Sequence, residues 1–154
     1  GLGNRFSYKN FDLDIQTQFV YGNDLYNIAG FFQSVNGDYF DNQTADQLRR
    51  WQNPGDITDV PLLLASNNDF NSQSTRFLYK NDYVRLKALN FGYNFPSSLI
   101  EKVNLSKLRL YFQGDNLWTY QTHKGIDPEQ DLSGSTNSRS YNQRVVSFGI
   151  NLEF

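Results

Sequence analysis

Enzymatic chemistry calls for a nucleophile paired with a base, for acids held in contrasting environments, or for a metal cage. This chain offers little toward any of them. It holds no cysteine and one histidine, His123, which excludes a thiolate site, a cysteine nucleophile and a two-histidine metal site. Carboxylates do come in sets: Asp12 with Asp14, and Asp127, Glu129 and Asp131 at every second position. Calcium loops space their ligands in the second way, but Leu132 stands where an EF-hand loop has its glycine, so the run reads as a solvated acidic loop. No nucleophile–base pair and no phosphate-cradling glycine loop accompanies these acids. The expectation is therefore no catalytic residue, no metal, no cofactor and no enzyme, with His123 exposed and without a role.

Binding is better served. Thirteen Phe, ten Tyr and two Trp make up 16% of the chain, and aromatic rings can stack on sugars or anchor a partner. Tyr39, Phe40, Trp51, Trp118 and Tyr120 are the candidates for contact with a substrate or a covering partner. For the first three the competing reading is a small core inside a long loop, which must bury something to hold a shape. Asp12, Asp14, Arg109, Gln113 and Asp115 form a second, polar set. They would contact substrate or form an internal ion-pair network. With 14 basic against 16 acidic residues, a net charge of −2 and a pI near 5.3, no basic field exists for nucleic acid.

The elements that must position these residues are strands. From Phe11, apolar Phe11, Leu13, Ile15, Phe19 and Tyr21 alternate with Asp12, Asp14, Gln16 and Gln18, the period of a strand with one polar face. The same period marks five strands near 1–8, 11–24, 77–95, 105–120 and 143–154. Between Leu86 and Leu89 the apolar parity flips, which predicts a β-bulge at Lys87–Ala88, since a register slip would turn every side chain to the wrong face. Lys9–Asn10 reads as a hairpin turn with Asn10 at positive φ. Thr44–Trp51 reads as two helical turns capped by Asn42 or Thr44, and Ser98 with Glu101 has capping-box spacing for a turn over 98–103.

The connections alternate in length: short at Lys9–Asn10, long over 25–75, short over 96–104, long over 121–142. Outer-membrane barrels have this asymmetry, with short periplasmic turns, long extracellular loops, apolar side chains toward lipid and aromatic girdles at both interfaces. Phe11, Tyr93, Phe95 and Phe154 would form the girdle at the short-turn end, and Tyr21, Tyr79, Trp118 and Tyr120 the other. The mean hydropathy of −0.63 fits strands that alternate, and no apolar run approaches the roughly 20 residues of a membrane helix. The rival is a soluble carbohydrate-binding β-sandwich with Trp51 and Trp118 as a sugar platform.

Four stretches carry a resemblance. The last residues, Ser147-Phe148-Gly149-Ile150-Asn151-Leu152-Glu153-Phe154, match the outer-membrane barrel assembly signal through Ser147, Gly149, Leu152 and Phe154. Arg50 to Pro61 (Arg-Trp-Gln-Asn-Pro-Gly-Asp-Ile-Thr-Asp-Val-Pro), Asp82 to Pro96, and Gly114 to Thr119 followed by Gly125-Ile126-Asp127-Pro128-Glu129 resemble the C-terminal end of a SusC/RagA-type TonB-dependent outer-membrane transporter. Leu62 stands where that family commonly has arginine. The resemblance implies an all-β fold in which these antiparallel, up-and-down strands close the wall of a large transmembrane barrel of about 22 strands, the plug and TonB box lying outside this chain. It further implies import of an oligosaccharide or peptide under a SusD-like surface lipoprotein, energy from the TonB complex, folding by the barrel assembly machinery, contact with membrane lipid and residence in the Gram-negative outer membrane. On that reading Asp12, Asp14, Arg109, Gln113 and Asp115 face the lumen. Five strands alone would leave two raw edges.

Overall fold

Alternation over long stretches is resolved into one large antiparallel sheet. The structure is a computed structural model and describes residues 1–34, 42–63, 73–129, 135–136 and 140–154. The chain divides into two units: residues Gly1–Tyr21, Asp82–Thr122 and Tyr141–Phe154 form one, and Gly22–Asn81 with His123–Ser140 the other.

The first unit is a five-stranded sheet of β1 (Leu2–Tyr8), β2 (Phe11–Val20), β5 (Tyr83–Asn94), β6 (Lys107–Gln121) and β8 (Val145–Glu153), in that spatial order, every pair antiparallel. β5 and β6 run 12 and 15 residues, about twice the usual length of a strand. Register sorts the side chains cleanly. Phe6, Leu13, Phe91, Phe112 and Phe148 lie on one rung, and Tyr8, Phe11, Tyr93, Leu110 and Ile150 on the next. Arg5, Asp14, Asn90, Gln113 and Ser147 lie on a rung of the opposite face.

The register shifts between Leu86 and Ala88, where Lys87 is an extra residue against β2 and faces two residues, Asn116 and Leu117, on β6. The bulge keeps Val84 and Leu86 on the same face as Leu89, Phe91 and Tyr93. Asn116 absorbs the bend at φ 51°, a left-handed conformation that asparagine tolerates better than most residues.

Turn details depart from expectation. Positive φ at the first hairpin falls on Lys9 (φ 52°) instead of Asn10. In the 96–104 connection α2 (Ser97–Ile100) is followed by a 3-10 turn over Glu101–Val103, and Pro96 occupies the N-cap, so no Ser98–Glu101 capping box forms. Proline suits that place because a helix start has no intrahelical use for its missing N–H.

The second unit has a sheet of its own, β4 (Leu78–Lys80), β3 (Asp24–Asn27) and β7 (Ser135–Thr136), with β3–β7 parallel. The stretches expected as strands 11–24 and 77–95 thus each divide: the first ends at Val20 and resumes in β3, the second breaks at Asn81–Asp82. Between β3 and β4 come α1 (Ile28–Gln33), whose Gly30 N–H donates to the Asn27 side chain, and 3-10 turns over Ala45–Arg49 and Thr75–Phe77. Leu25, Val60 and Phe77 are buried here, and Tyr26 and Phe31 set their rings edge-on to Phe77 at 6.4 and 5.5 Å. No helix among the described residues is long and apolar enough to cross a membrane.

Candidate functional site

Two surfaces of the large sheet and one loop cluster carry the candidate residues. On the polar face, Arg109 at the start of β6 reaches over β5 to Asp12 at the start of β2. Nη1 donates to Oδ1 at 2.5 Å and Nη2 to Oδ2 at 2.6 Å, and the Asn94 side-chain oxygen accepts from the same Nη1 at 3.2 Å. The guanidinium passes over Gly92, where any side-chain carbon would overlap it, so glycine is needed for close approach rather than for backbone freedom. Arg5 of β1 donates from Nε and Nη2 to Asp14 at 2.8 and 2.5 Å. The Arg109–Asp12 pair is bidentate, which fixes geometry as well as contributing energy, while both Arg5 donors share Asp14 Oδ2; the two pairs tie β2 to β6 and β1 to β2.

Farther along this face, Gln18 donates to the Tyr83 hydroxyl at 2.9 Å. Arg85, only 2% exposed, donates to Thr119 Oγ1 at 3.0 Å and lies over the Tyr83 ring. Gln113 donates to Asp115 at 3.3 Å. Tyr111 lays its ring over Gly149 of β8, filling the place of a side chain. The five polar candidates Asp12, Asp14, Arg109, Gln113 and Asp115 therefore share one face, and each has a protein partner on it.

The opposite face is apolar and uncovered. Phe6, Phe19, Phe148, Ile150 and Leu152 are each more than half exposed. At one end, Phe11 packs on Phe91 and Tyr93 at 5.8 and 4.5 Å, and Tyr93 on Phe95 at 4.9 Å. At the other stand Phe19, Trp118 and Tyr120. Trp118 and Tyr120, candidates for substrate or partner contact, thus share the face of Phe148 and not that of Arg109. Of the four assembly-signal positions, Leu152 is on the apolar face opposite Leu108, Ser147 and Gly149 are on the polar face opposite Gln113 and Tyr111, and Phe154 follows the last paired residue and is exposed.

In the second unit, Tyr39 and Phe40 lie outside the described residues. Trp51 is half-buried, its backbone N–H donating to the Val60 carbonyl at 2.9 Å. The expected two-turn helix is a single 3-10 turn over Ala45–Arg49, and the Thr44 hydroxyl does not cap it. That hydroxyl instead joins Ser34 and Asp46, which Arg76 completes by donating Nη2 to Asp46 at 3.0 Å and Nη1 to the Ser34 carbonyl at 3.1 Å. These contacts hold the Asp46 carboxyl below its usual range even though burial acts in the opposite sense. Composition offered no signal for this cluster, because its members are 42 residues apart at the extremes.

Three expectations are corrected. His123 is not a free loop histidine: it stacks on Tyr79 with ring centroids 3.8 Å apart, and burial pushes its pKa down. Tyr79, expected in the second aromatic girdle, is a residue of β4, paired with Leu25 of β3. Asp127 is 2% exposed and accepts the Glu129 N–H at 2.9 Å, so it is a turn-forming residue and not a solvated acid. Asp131 and Leu132 lie outside the described residues.

The turn over Arg49–Val60 is heavily tied. Asp56 accepts the Gln52 and Asn53 N–H groups at 2.9 and 2.8 Å, and Arg49 pairs with Asp59 through Nε and Nη2 at 2.8 and 2.9 Å. The Arg49 guanidinium holds the Asp59 carboxyl down to about 2. A depressed native pKa gives stability that is complete above the ordinary carboxylate value, near 3.9, and disappears as pH falls through the native one. Amide protection in 45–60 is thus expected to hold from neutral pH to about 4 and to decay toward pH 2. Arg49→Gln should raise the Asp59 midpoint, followed by NMR or exchange, toward its ordinary value; an unmoved midpoint would refute the pairing.

No protein-family model matches the chain. Aligned over 165 residues, the chain is 34% identical to TonB-dependent receptor P3 of Formosa agariphila, and over 163 residues 26% identical to TonB-dependent receptor P39 of the same organism. Both alignments take in the whole chain and 16% of the relative. Among solved structures, the RagAB peptide transporter superposes with a TM-score of 0.76 at 29% identity, over 96% of this chain and 16% of that one. The RagAB peptide importer in its 'open-open' state gives 0.77 at 29% identity with the same coverage. The chain spans about a sixth of the length of the curated relatives it matches.

Proposed function

From the premise that this chain is, throughout, TonB-dependent receptor sequence of the SusC/RagA type, we propose that its five-stranded sheet is a piece of the wall of an outer-membrane barrel. The observation that carries the reading is the exposed apolar face. A sheet that carries an apolar rung, Phe6, Leu13, Phe91, Phe112 and Phe148, across all five strands needs an apolar medium or a second sheet against it, and Phe6, Phe91, Phe148 and Ile150 are exposed on that face. The dimensions agree. From Tyr93 to Val84 is nine residue steps along β5; at about 3.3 Å per residue and a tilt of about 40° they span roughly 23 Å across a bilayer, close to the apolar band of such barrels.

On this reading the polar face lines the lumen, closure is completed by strands pairing with β1 and β8, and the segments 22–81 and 123–140 are extracellular. The barrel takes up an oligosaccharide or a peptide, with a SusD-like lipoprotein at its mouth and energy supplied through TonB. The neighbours' being peptide importers favours neither substrate for this chain. Its own polar face offers self-paired charges, Asp12 with Arg109 and Asp14 with Arg5, rather than a charged subsite. What this segment supplies to transport is wall and loops and no covalent chemistry.

Intact source cells treated with external protease test the proposal, using an immunoblot with an antibody against the segment 42–63. A band far above 17.9 kDa in the outer-membrane fraction, cleaved in intact cells, is expected. A soluble band near the mass of this chain would overturn it in favour of a soluble carbohydrate-binding module.

A further inference from the structure

The apolar face does not run out evenly at its loop-side end. Its last rung is Phe19, Val84 and Tyr120, one residue from each of β2, β5 and β6. Two large rings flank a small β-branched residue, and the gap left above Val84 is a cleft of about 400 Å³ within the first unit, with Tyr21 and Thr122 also on its lining. Phe19 and Tyr120 are 56% and 60% exposed and Tyr21 90%, so the walls stand clear of the sheet.

The chemistry of the lining selects the occupant. Among the described residues no lysine or arginine lines the cleft, and Asp82 is its one carboxylate, so a phosphate or carboxylate headgroup finds no cation there. The surface presented is mostly ring and aliphatic carbon, with little to bond the hydroxyls of a sugar. The next rung on this face carries Leu86 and Trp118, and Phe148 lies farther along the same face, so the cleft is continuous with the apolar face. We infer that this cleft seats one acyl chain of a lipid in the outer leaflet, held between the Phe19 and Tyr120 rings above Val84. The inference rests on the reading of that face as membrane-facing, and names a specific lipid position on it. Tyrosines at such a level place a ring in hydrocarbon and a hydroxyl in the wet interface.

The test uses the intact receptor that contains this chain, reconstituted in phosphatidylcholine bilayers with a trace of phosphatidylcholine bearing a diazirine on one acyl chain. After photolysis, labelled peptides are mapped by mass spectrometry. Labelling at 19–21, 82–84 and 120–122 is expected to exceed that at Phe148–Leu152 severalfold, and Val84→Trp, which fills the cleft, is expected to bring it down to the level of β8. If Val84→Trp fails to assemble, Val84→Phe serves the same purpose with a smaller ring. Even labelling along the whole apolar face, or an excess that survives the filling substitutions, would overturn the acyl-chain site while leaving the membrane-facing wall intact. Absence of label from every segment of that face would remove the wall and the site together.

Discussion

Phe148→Arg is expected to remove most of the receptor from the outer membrane, whereas Gln113→Arg, at the same level of the sheet but on the other face, leaves its amount close to that of the parent. Phe148 is 80% exposed, on the apolar face between rungs that end in aromatic clusters. Gln113 is on the other face, in the rung of Arg5, Asp14 and Asn90. If the apolar face meets lipid, an arginine near the bilayer midplane costs about 2–4 kcal/mol, and the same charge toward the lumen costs little. If instead the sheet stands in water, replacing an exposed residue changes stability by about 0.5 kcal/mol or less, and the two variants behave alike. Phe148 also packs on Phe112 at 5.2 Å, so Phe148→Ala measures what the ring contact contributes by itself. The readout is the heat-resistant folded band in outer-membrane fractions. Equal recovery of the two arginine variants would remove the membrane reading of this face.

The two faces were legible in the sequence because strand alternation is a local property: period 2 assigns each residue a side without knowledge of its neighbour strand. The bulge at Lys87 was legible for the same reason, since a phase flip inside one apolar run has few other physical solutions. What alternation cannot supply is pairing across strands. That Arg109 meets Asp12, and that Gly92 and Gly149 leave room for Arg109 and Tyr111, follows only from register, and a glycine on a polar face carries no sign of the side chain that will cover it. The loop unit was less legible still. Asp46, Ser34 and Arg76 come together from separate turns, and Tyr79 leaves the long strand because the chain breaks at Asn81–Asp82, where Asn81 donates its side-chain N–H to the Pro128 carbonyl at 2.8 Å. A tertiary hydrogen bond of that kind overrides a strand propensity that would run straight through.

Gly92→Val is expected to destabilise the wall by about as much as removing Arg109 itself, and the two changes together by no more than either alone. The reason is geometric. The side-chain position of residue 92 is filled by the Arg109 guanidinium, so a valine there must push the arginine off Asp12, and Arg109→Ala deletes the same two hydrogen bonds from the other end. Hydrogen bonds to charged groups contribute about 1.5–3 kcal/mol where buried; with the Arg109 and Asp12 side chains still 24% and 30% exposed, roughly 1–2 kcal/mol is the expected loss for each single variant. Gly3 is the control, because it lies on the same face, opposite Gln16, and a side chain there meets nothing within 4 Å. Gly3→Val should therefore be close to neutral. Urea unfolding of the intact receptor in detergent, read by loss of the folded band, supplies the four stabilities of the cycle. Coupling equal to the loss of one single variant means that Gly92 exists to let Arg109 cross β5 and join β6 to β2. Additive losses would mean that valine disturbs the sheet by some other route, and the clasp would lose its account of why this position is a glycine.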